Sequence, residues 1–418
     1  MASIKSKVPK LRFKGFSGEW NITKLCDISD KVQEKNKNNL INETFTNSAE
    51  YGIINQRDFF NKDISNEINL CHYYVVQPND FVYNPRISNL APVGPIKRNK
   101  LNRTGVMSPL YYVFRTHSIN NDFLDYYFST SKWHRFMFMN GDKGARSDRF
   151  AIGDSVFRTM PILTPKQQEQ TQIGHFFQKL DQVIELQQHA LTQAQNYKKA
   201  MLQKMFPQKD EKVPKVRFNG FSGDWNKKKL EDLLKQIKSY SLSRDVEVEN
   251  NTGLKYIHYG DIHRKKANII GHDEMLPNIK YGDYLILQKG DLVLADASED
   301  YQGIAQPCIL NFSPMKNKIV AGLHTIAIRP IKQSSMYLYY FFHTDNFKKH
   351  CYLVGTGMKV FGITYSNLVK FEGYFPSFEE QTQIGNFFQQ LDKQITEQQN
   401  KLTHYQTLKK AMLQRLFI

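Results

Sequence analysis

With 418 residues, 40% of them hydrophobic and 13% aromatic, the chain is too long for one ordinary domain and apolar enough to bury two or more cores. Its 57 basic against 40 acidic residues leave a net +17, a field that draws in polyanions and makes nucleic acid the leading partner. No run approaches the ~20 apolar residues of a membrane span, the opening MASIKSKVPKLRF lacks a secretory apolar run, and Cys26, Cys71, Cys308 and Cys351 form no CxxC pair; a cytoplasmic protein without a zinc ribbon or disulfide framework is expected.

Along the chain, the first feature is the block VPKLRFKGFSGEW at 8–20, which returns as VPKVRFNGFSGDW at 213–225 with ten of thirteen positions identical. The segment 170–207 likewise returns at 381–418, matching at 23 of 38 positions without a gap. The chain is therefore a tandem duplication, and each copy is far longer than a solenoid repeat. Four parts are expected: a domain over 1–163, a helix over 164–206, a second domain over 207–376 and a second helix over 377–418.

The first variable block, 21–163, holds short β-branched and aromatic runs bounded by Gly, Pro, Asn and Asp, which predict strands, with a short helix after Asp122. Between Asp80 and Asp122 it has no acidic residue. The candidate DNA contacts there are Asn84, Arg86, Asn89, Lys97, Arg98, Lys100 and Arg103, followed by Lys143, Arg146 and Arg149 in GDKGARSDR. Arg and Lys suit phosphates and guanine edges, and Asn suits adenine; a solvated surface charge is the plain reading of each. Tyr83, Tyr301 and Phe361 suit thymine methyls or sugars, with core packing as the plainer reading.

The helix of 164–206 carries a seam at alternating steps of three and four: Ile173, Phe177, Leu180, Ile184, Gln187, Leu191, Ala194, Lys198, Met201 and Met205. A 3.5-residue period is a coiled-coil signature. Thr164 before Pro165 and Gln167 gives a start signal.

The second variable block, 226–375, follows the first in outline only. Asp80 and Arg115 of the first copy face Asp291 and Arg329, and a short helix is expected after Met336. Its candidate DNA contacts are Arg264, Lys265, Lys266, Lys316, Lys318 and Lys359. Two sequence patterns invite metal readings: Asp291 with Asp296, and His258, Asp261 and His263. Strand-end residues are the better account of both, so no metal site is expected. The last helix has Ser377 and Glu380 in a capping-box arrangement. Its seam repeats as Ile384, Phe388, Leu391, Ile395, Gln398, Leu402, Tyr405, Lys409, Met412 and Leu416. Matched seams predict that the two helices pair antiparallel as a stiff spacer.

Charge is concentrated in the variable parts: 1–165 carries +8 and 207–376 carries +6. There is no P-loop, no glycine-rich methyl-donor loop after a strand, and no Asn/Asp-Pro-Pro-aromatic tetrapeptide, so the sequence encodes recognition rather than chemistry. No catalytic residue is expected.

The twice-occurring V-P-K-x-R-F-x-G-F-S-G-x-W block resembles the opening of each half in specificity subunits of type I restriction-modification enzymes. The Glu169-Gln170 and Glu380-Gln381 helix starts, with the long helices after them, resemble that family's central and C-terminal conserved regions. The resemblance covers nearly the whole chain. It implies an α+β fold with two target-recognition domains separated by two long antiparallel helices, arranged as a pseudo-twofold tandem repeat. It also implies double-stranded DNA as the ligand, each domain reading half of an interrupted asymmetric site. Two methyltransferase subunits and two restriction subunits are the implied partners, and they would carry S-adenosylmethionine, ATP and magnesium. A stand-alone bipartite DNA-binding regulator and a structural adaptor are the competing readings.

Overall fold

The computed structural model describes residues 7–59, 67–143, 148–273, 275–300, 303–314, 317–357 and 360–418. The chain forms two compact units, 1–188 with 401–418, and 189–400.

In the first unit a four-stranded antiparallel sheet runs Ser29–Lys31, Tyr112–Thr116, Phe81–Tyr83, Ile96–Arg98. Its apolar face packs on the helix Asn121–Phe128, capped by Asn120, whose side chain accepts from the Phe123 amide. Strand Asn21–Lys24 pairs with Pro161–Thr164, closing the variable block at its two ends. Trp20, Phe81, Phe114, Phe123 and Phe157 fill the core, all at most 2% exposed.

The second unit repeats this plan with more strands. Leu234–Ile237, Thr325–Pro330, Leu292–Ala295 and Pro307–Leu310 are antiparallel neighbours, and Ile269–Ile270 joins the last of them in parallel. A second sheet of four strands runs Glu247–Val248, Asn278–Ile279, Leu254–Ile257, Lys318–Ala321. The helix Ser335–Phe341 lies where the first unit has Asn121–Phe128, and Asn226–Lys229 pairs with Glu372–Phe375 as the closing pair. The mixed α+β reading of both blocks holds. The two blocks are not equal everywhere: Tyr74–Val76, shortly before Asp80, is a strand, whereas 284–287, at the same place before Asp291, is not.

The two long helices span Gln167–Lys204 and Phe378–Leu416. The first begins at Gln167, not at the sequence signal on Thr164. That threonine ends the strand Pro161–Thr164 and bonds the Thr23 hydroxyl at 2.7 Å, so it cannot cap. Ser377 does cap, accepting from the Glu380 amide, but the Glu380 carboxylate turns away to Arg217 instead of completing a box. Within the first unit Phe177 stacks on Phe417 at 6.0 Å, and Phe123 lies 5.3 Å from the same Phe417 ring, so the start of one helix meets the end of the other, antiparallel. Within the second, Phe206 lies 5.9 Å from Phe388 and Lys198 pairs with Asp392, again antiparallel.

Ile173, Phe177, Leu180, Leu191, Ile384, Phe388, Leu391 and Leu402 are buried along the helices, and Ile184, Met201, Ile395 and Met412 half-buried. Ile173 and Phe177 join the core of the first variable block, and Ile384 and Phe388 that of the second. The seam thus serves two partners, a neighbouring helix and a domain core.

The repeated blocks explain themselves in this frame. Arg12 forms a two-pronged pair with Glu169 (2.8 and 2.7 Å), and Arg217 with Glu380 (2.6 and 2.8 Å); both carboxylates are almost fully buried. The adjoining glutamines cap the domain helices from outside: Gln170 Oε1 accepts from the Asn120 amide, and Gln381 Oε1 from the Ser334 amide. No described helix is long and apolar enough to cross a membrane.

Candidate nucleic-acid interface

The acid-free window of the first unit is acid-free only along the chain. Folding brings Asp122 to within 2.6 Å of Arg98, Asp125 to 2.5 Å of Lys100 and Glu43 to 2.8 Å of Arg103. Arg115 makes a two-pronged pair with the buried Asp80 (2.8 and 2.9 Å), repeated in the second unit by Arg329 and Asp291 (2.7 and 2.7 Å). Lys97 is half-buried, and burial pulls its ammonium pKa down against the pull of Asp125. Asn84 is buried. Its amide donates to the Asn47 carbonyl and its oxygen accepts from the Arg86 amide. These side chains hold the domain together, and a surface charge pattern read from sequence could not show it.

Two candidates 63 positions apart do meet. Arg86 and Arg149 lie directly opposite each other on an antiparallel bridge, flanked by the Phe150 amide donating to the Pro85 carbonyl at 2.8 Å. Arg86 is exposed. The Arg149 Nε is buried and has no hydrogen-bond partner among the described residues. Like charges directly opposite across a strand pair are destabilising, and a buried unpaired donor adds a desolvation cost. An anion that bound both side chains would remove both penalties. Beside the pair opens a cavity of about 480 Å³ lined by Tyr83, Pro85, Tyr112, Phe150, Asp154 and Phe157 among others. Asn89 is exposed on the adjoining turn, where Ser88 and Ala91 bridge.

The second unit builds the same bridge from other residues. The Ile363 amide donates to the Asp296 carbonyl at 2.8 Å, and the residues opposite each other are Ala297 and Gly362. One backbone frame therefore presents two arginines in one copy and two small residues in the other. Sequence alignment of the two copies could not find this, because the loops between the bridge partners differ in length and composition.

The basic candidates of the second unit sit elsewhere. Arg264, Lys265 and Lys266 form an exposed run after the helix Tyr259–His263, with Lys265 in the left-handed region at φ 57° and Arg264 Nε donating to the Gly260 carbonyl. Lys318 is exposed at the start of its strand. The residues of the metal-like patterns have partners within the protein. Arg244 takes Asp261 at 2.9 Å, His258 Nδ1 accepts from the Gly260 amide, His263 Nε2 meets the Ala297 carbonyl, and Asp296 meets His324. Among the described residues no three potential ligands cluster. Of the aromatics, Tyr83 is buried with its hydroxyl donating to the Val93 carbonyl. Arg146, Tyr301, Lys316 and Lys359 lie outside the described residues, as does the side chain of Lys143.

A family model for the type I restriction modification DNA specificity domain matches the chain twice, at residues 17–196 and 222–404. Among solved structures, the chain is similar to the type I restriction-modification system S subunit from M. genitalium. The identity is 12%, with 98% of this chain and 99% of that one covered, at a TM-score of 0.57. It is also similar, at 15% identity and a TM-score of 0.55, to a chain solved for the structural basis of complex assembly and conformational transition of the type I R-M system, covering 94% of this chain and 96% of that one. These likenesses establish a shared fold, and the doubled family match goes further: the chain belongs to the type I restriction-modification DNA specificity family and is a DNA-recognition subunit.

Proposed function

We propose that each unit reads one half of an interrupted, asymmetric DNA site and that the paired long helices set the spacer between the halves. The observation carrying this is the shared bridge with unlike residues, Arg86 and Arg149 in one unit and Ala297 and Gly362 in the other. One scaffold with different chemistry at the same place is what reading two different half-sites requires. The contacts we assign are Arg86, Asn89 and Arg149 in the first unit and Arg264, Lys265, Lys266 and Lys318 in the second, all exposed or with an unpaired donor. Lys143, Arg146, Lys316 and Lys359 are assigned on sequence alone. Asn84, Lys97 and Arg98 are buried or half-buried and we assign them to the fold, whereas Lys100 and Arg103 are exposed beside Asp125 and Glu43 and remain candidate contacts.

The chain's own contribution is binding and placement. Methylation of adenine with S-adenosylmethionine would come from two methyltransferase subunits docked on the helices, and ATP- and magnesium-dependent cleavage from two restriction subunits. The sequence supports this division, since it holds no P-loop and no methyl-donor loop. The localisation we assign is the cytoplasm.

The test is Arg86→Ala and Arg149→Ala in the complex with the methyltransferase. Loss of a guanine-reading arginine should cost about 1–3 kcal/mol at one half-site and relax specificity there. Loss of a phosphate contact should weaken all sequences evenly and lower the salt slope by about one. Unchanged affinity, specificity and salt slope in both variants would remove these residues from the interface. A chain that binds a bipartite site and recruits no methyltransferase would instead favour the stand-alone regulator.

A further inference from the structure

The two units share a polar cluster that neither the repeat pattern nor the family match assigns. In the first unit Asp181 of the first long helix accepts the Tyr126 hydroxyl at 2.8 Å and faces Lys409 Nζ of the second long helix at 2.5 Å. The Lys409 ammonium also stands 5.6 Å from the centre of the Tyr126 ring. In the second unit Asp392 of the second helix accepts the Tyr340 hydroxyl at 2.8 Å and faces Lys198 of the first helix at 2.5 Å, with that ammonium 5.4 Å from the Tyr340 ring. Tyr126 and Tyr340 belong to the corresponding domain helices Asn121–Phe128 and Ser335–Phe341 and are buried. Each cluster therefore joins three elements: a recognition domain through its tyrosine, one long helix through its aspartate, and the other through its lysine.

The seam around these clusters does not by itself define where one helix stops along the other. Its apolar residues recur every three to four positions, so a slide by a turn or a heptad meets similar side chains again. A charged pair does not tolerate that slide. One turn is about 5.4 Å, enough to separate Lys409 from Asp181 and leave two half-buried charges without partners. At 23–37% side-chain exposure these four residues are shielded enough for that loss to matter. Sequence reading places Lys198 and Lys409 at matching seam positions facing one another's helix. The structure gives each an aspartate on the opposite helix as partner, and the reciprocity makes two locks instead of one.

We infer that Tyr126–Asp181–Lys409 and Tyr340–Asp392–Lys198 are register locks, positioning residues that fix the axial setting of each recognition domain on the helix pair and so the spacer length the subunit accepts. This rests on the reading of the helices as the spacer. Polar residues in an otherwise apolar helix seam are a known means of selecting one register at some cost in stability. Here the lysine's second contact, with the tyrosine ring, ties the same register to the orientation of the domain.

The experiment uses the full subunit in complex with its methyltransferase and a panel of DNA duplexes with the cognate half-sites at spacers of the native length and one or two base pairs longer or shorter. Lys198→Met with Lys409→Met should raise methylation at off-length spacers relative to the native one by roughly tenfold, the scale of a lost coupling between packed side chains. Rejection of incorrect half-sites should stay as in the parent. The conservative pair Lys198→Arg with Lys409→Arg should restore spacer discrimination, which a merely destabilised fold would not predict. Should the methionine variants fold poorly, Asp181→Asn with Asp392→Asn keeps the shape and should relax the spacer in the same way. Folded variants with the parent's spacer preference overturn the inference, as does an equal fall at every spacer. A four-residue insertion into 185–197 is the control. If the insertion shifts the preferred spacer and the lock variants do not, the locks are refuted while the spacer reading stands; if the insertion shifts nothing, the spacer reading itself fails.

Discussion

Glu169 and Glu380 are each about 1% exposed, and each is held by both prongs of one arginine, Arg12 or Arg217. A carboxylate so placed is stable only while its partner is present, because removing the arginine strands a charge away from water. Arg217→Met should therefore destabilise the second unit by roughly 3–5 kcal/mol, read as a lower denaturation midpoint with an unchanged slope. A loss below about 1 kcal/mol, the range of an exposed pair, would show that the pair is solvated and structurally unimportant. The same residue scale separates the basic side chains by fate. Arg98, Lys100 and Arg103 have acids within ion-pairing distance, whereas Arg86 and Arg149 face each other.

At the scale of elements, the long helices carry a glycine each at the same place, Gly174 and Gly385, where alanine would ordinarily be the better helix former. A Cβ on Gly174 would stand 2.8 Å from the Asp122 Cβ and 3.2 Å from the Phe123 amide; on Gly385 it would stand 3.0 Å from the Tyr337 amide. The glycines let the domain helix approach the long helix backbone to backbone, which in turn lets Gln170 and Gln381 reach the free amides at that helix's start. Gly174→Ala should lower thermal stability despite its helix propensity, by about 1–3 kcal/mol for the overlap less the ~1 kcal/mol of propensity regained. Gly153, with open space around its Cβ direction, is the control that should accept alanine without such a loss. Equal melting shifts at both positions would disprove the close-approach argument.

At the scale of the whole molecule, the duplication gives two domains and two helices, with each helix contributing to both compact units. Four residues inserted into 185–197 add about 6 Å of helix, and the preferred spacer in a methylation assay should lengthen while both half-sites stay as they were. Altered half-site preference after that insertion would contradict the separation of reading from spacing.

The sequence by itself determined the architecture: the repeat is exact enough over 8–20 and 170–207 to show two copies, and seam periodicity with short β-branched runs identifies the elements because burial imposes those periods locally. Tertiary structure alone decided which charges are available. An acid-free window on the chain filled with acids from Glu43, Asp122 and Asp125, and Lys409 found Asp181 at a distance no local pattern encodes. The juxtaposition of Arg86 with Arg149 was equally hidden. Helix and strand periods are set by neighbours along the chain, whereas the pairing of a charge is set by whatever the fold brings within a few ångströms of it.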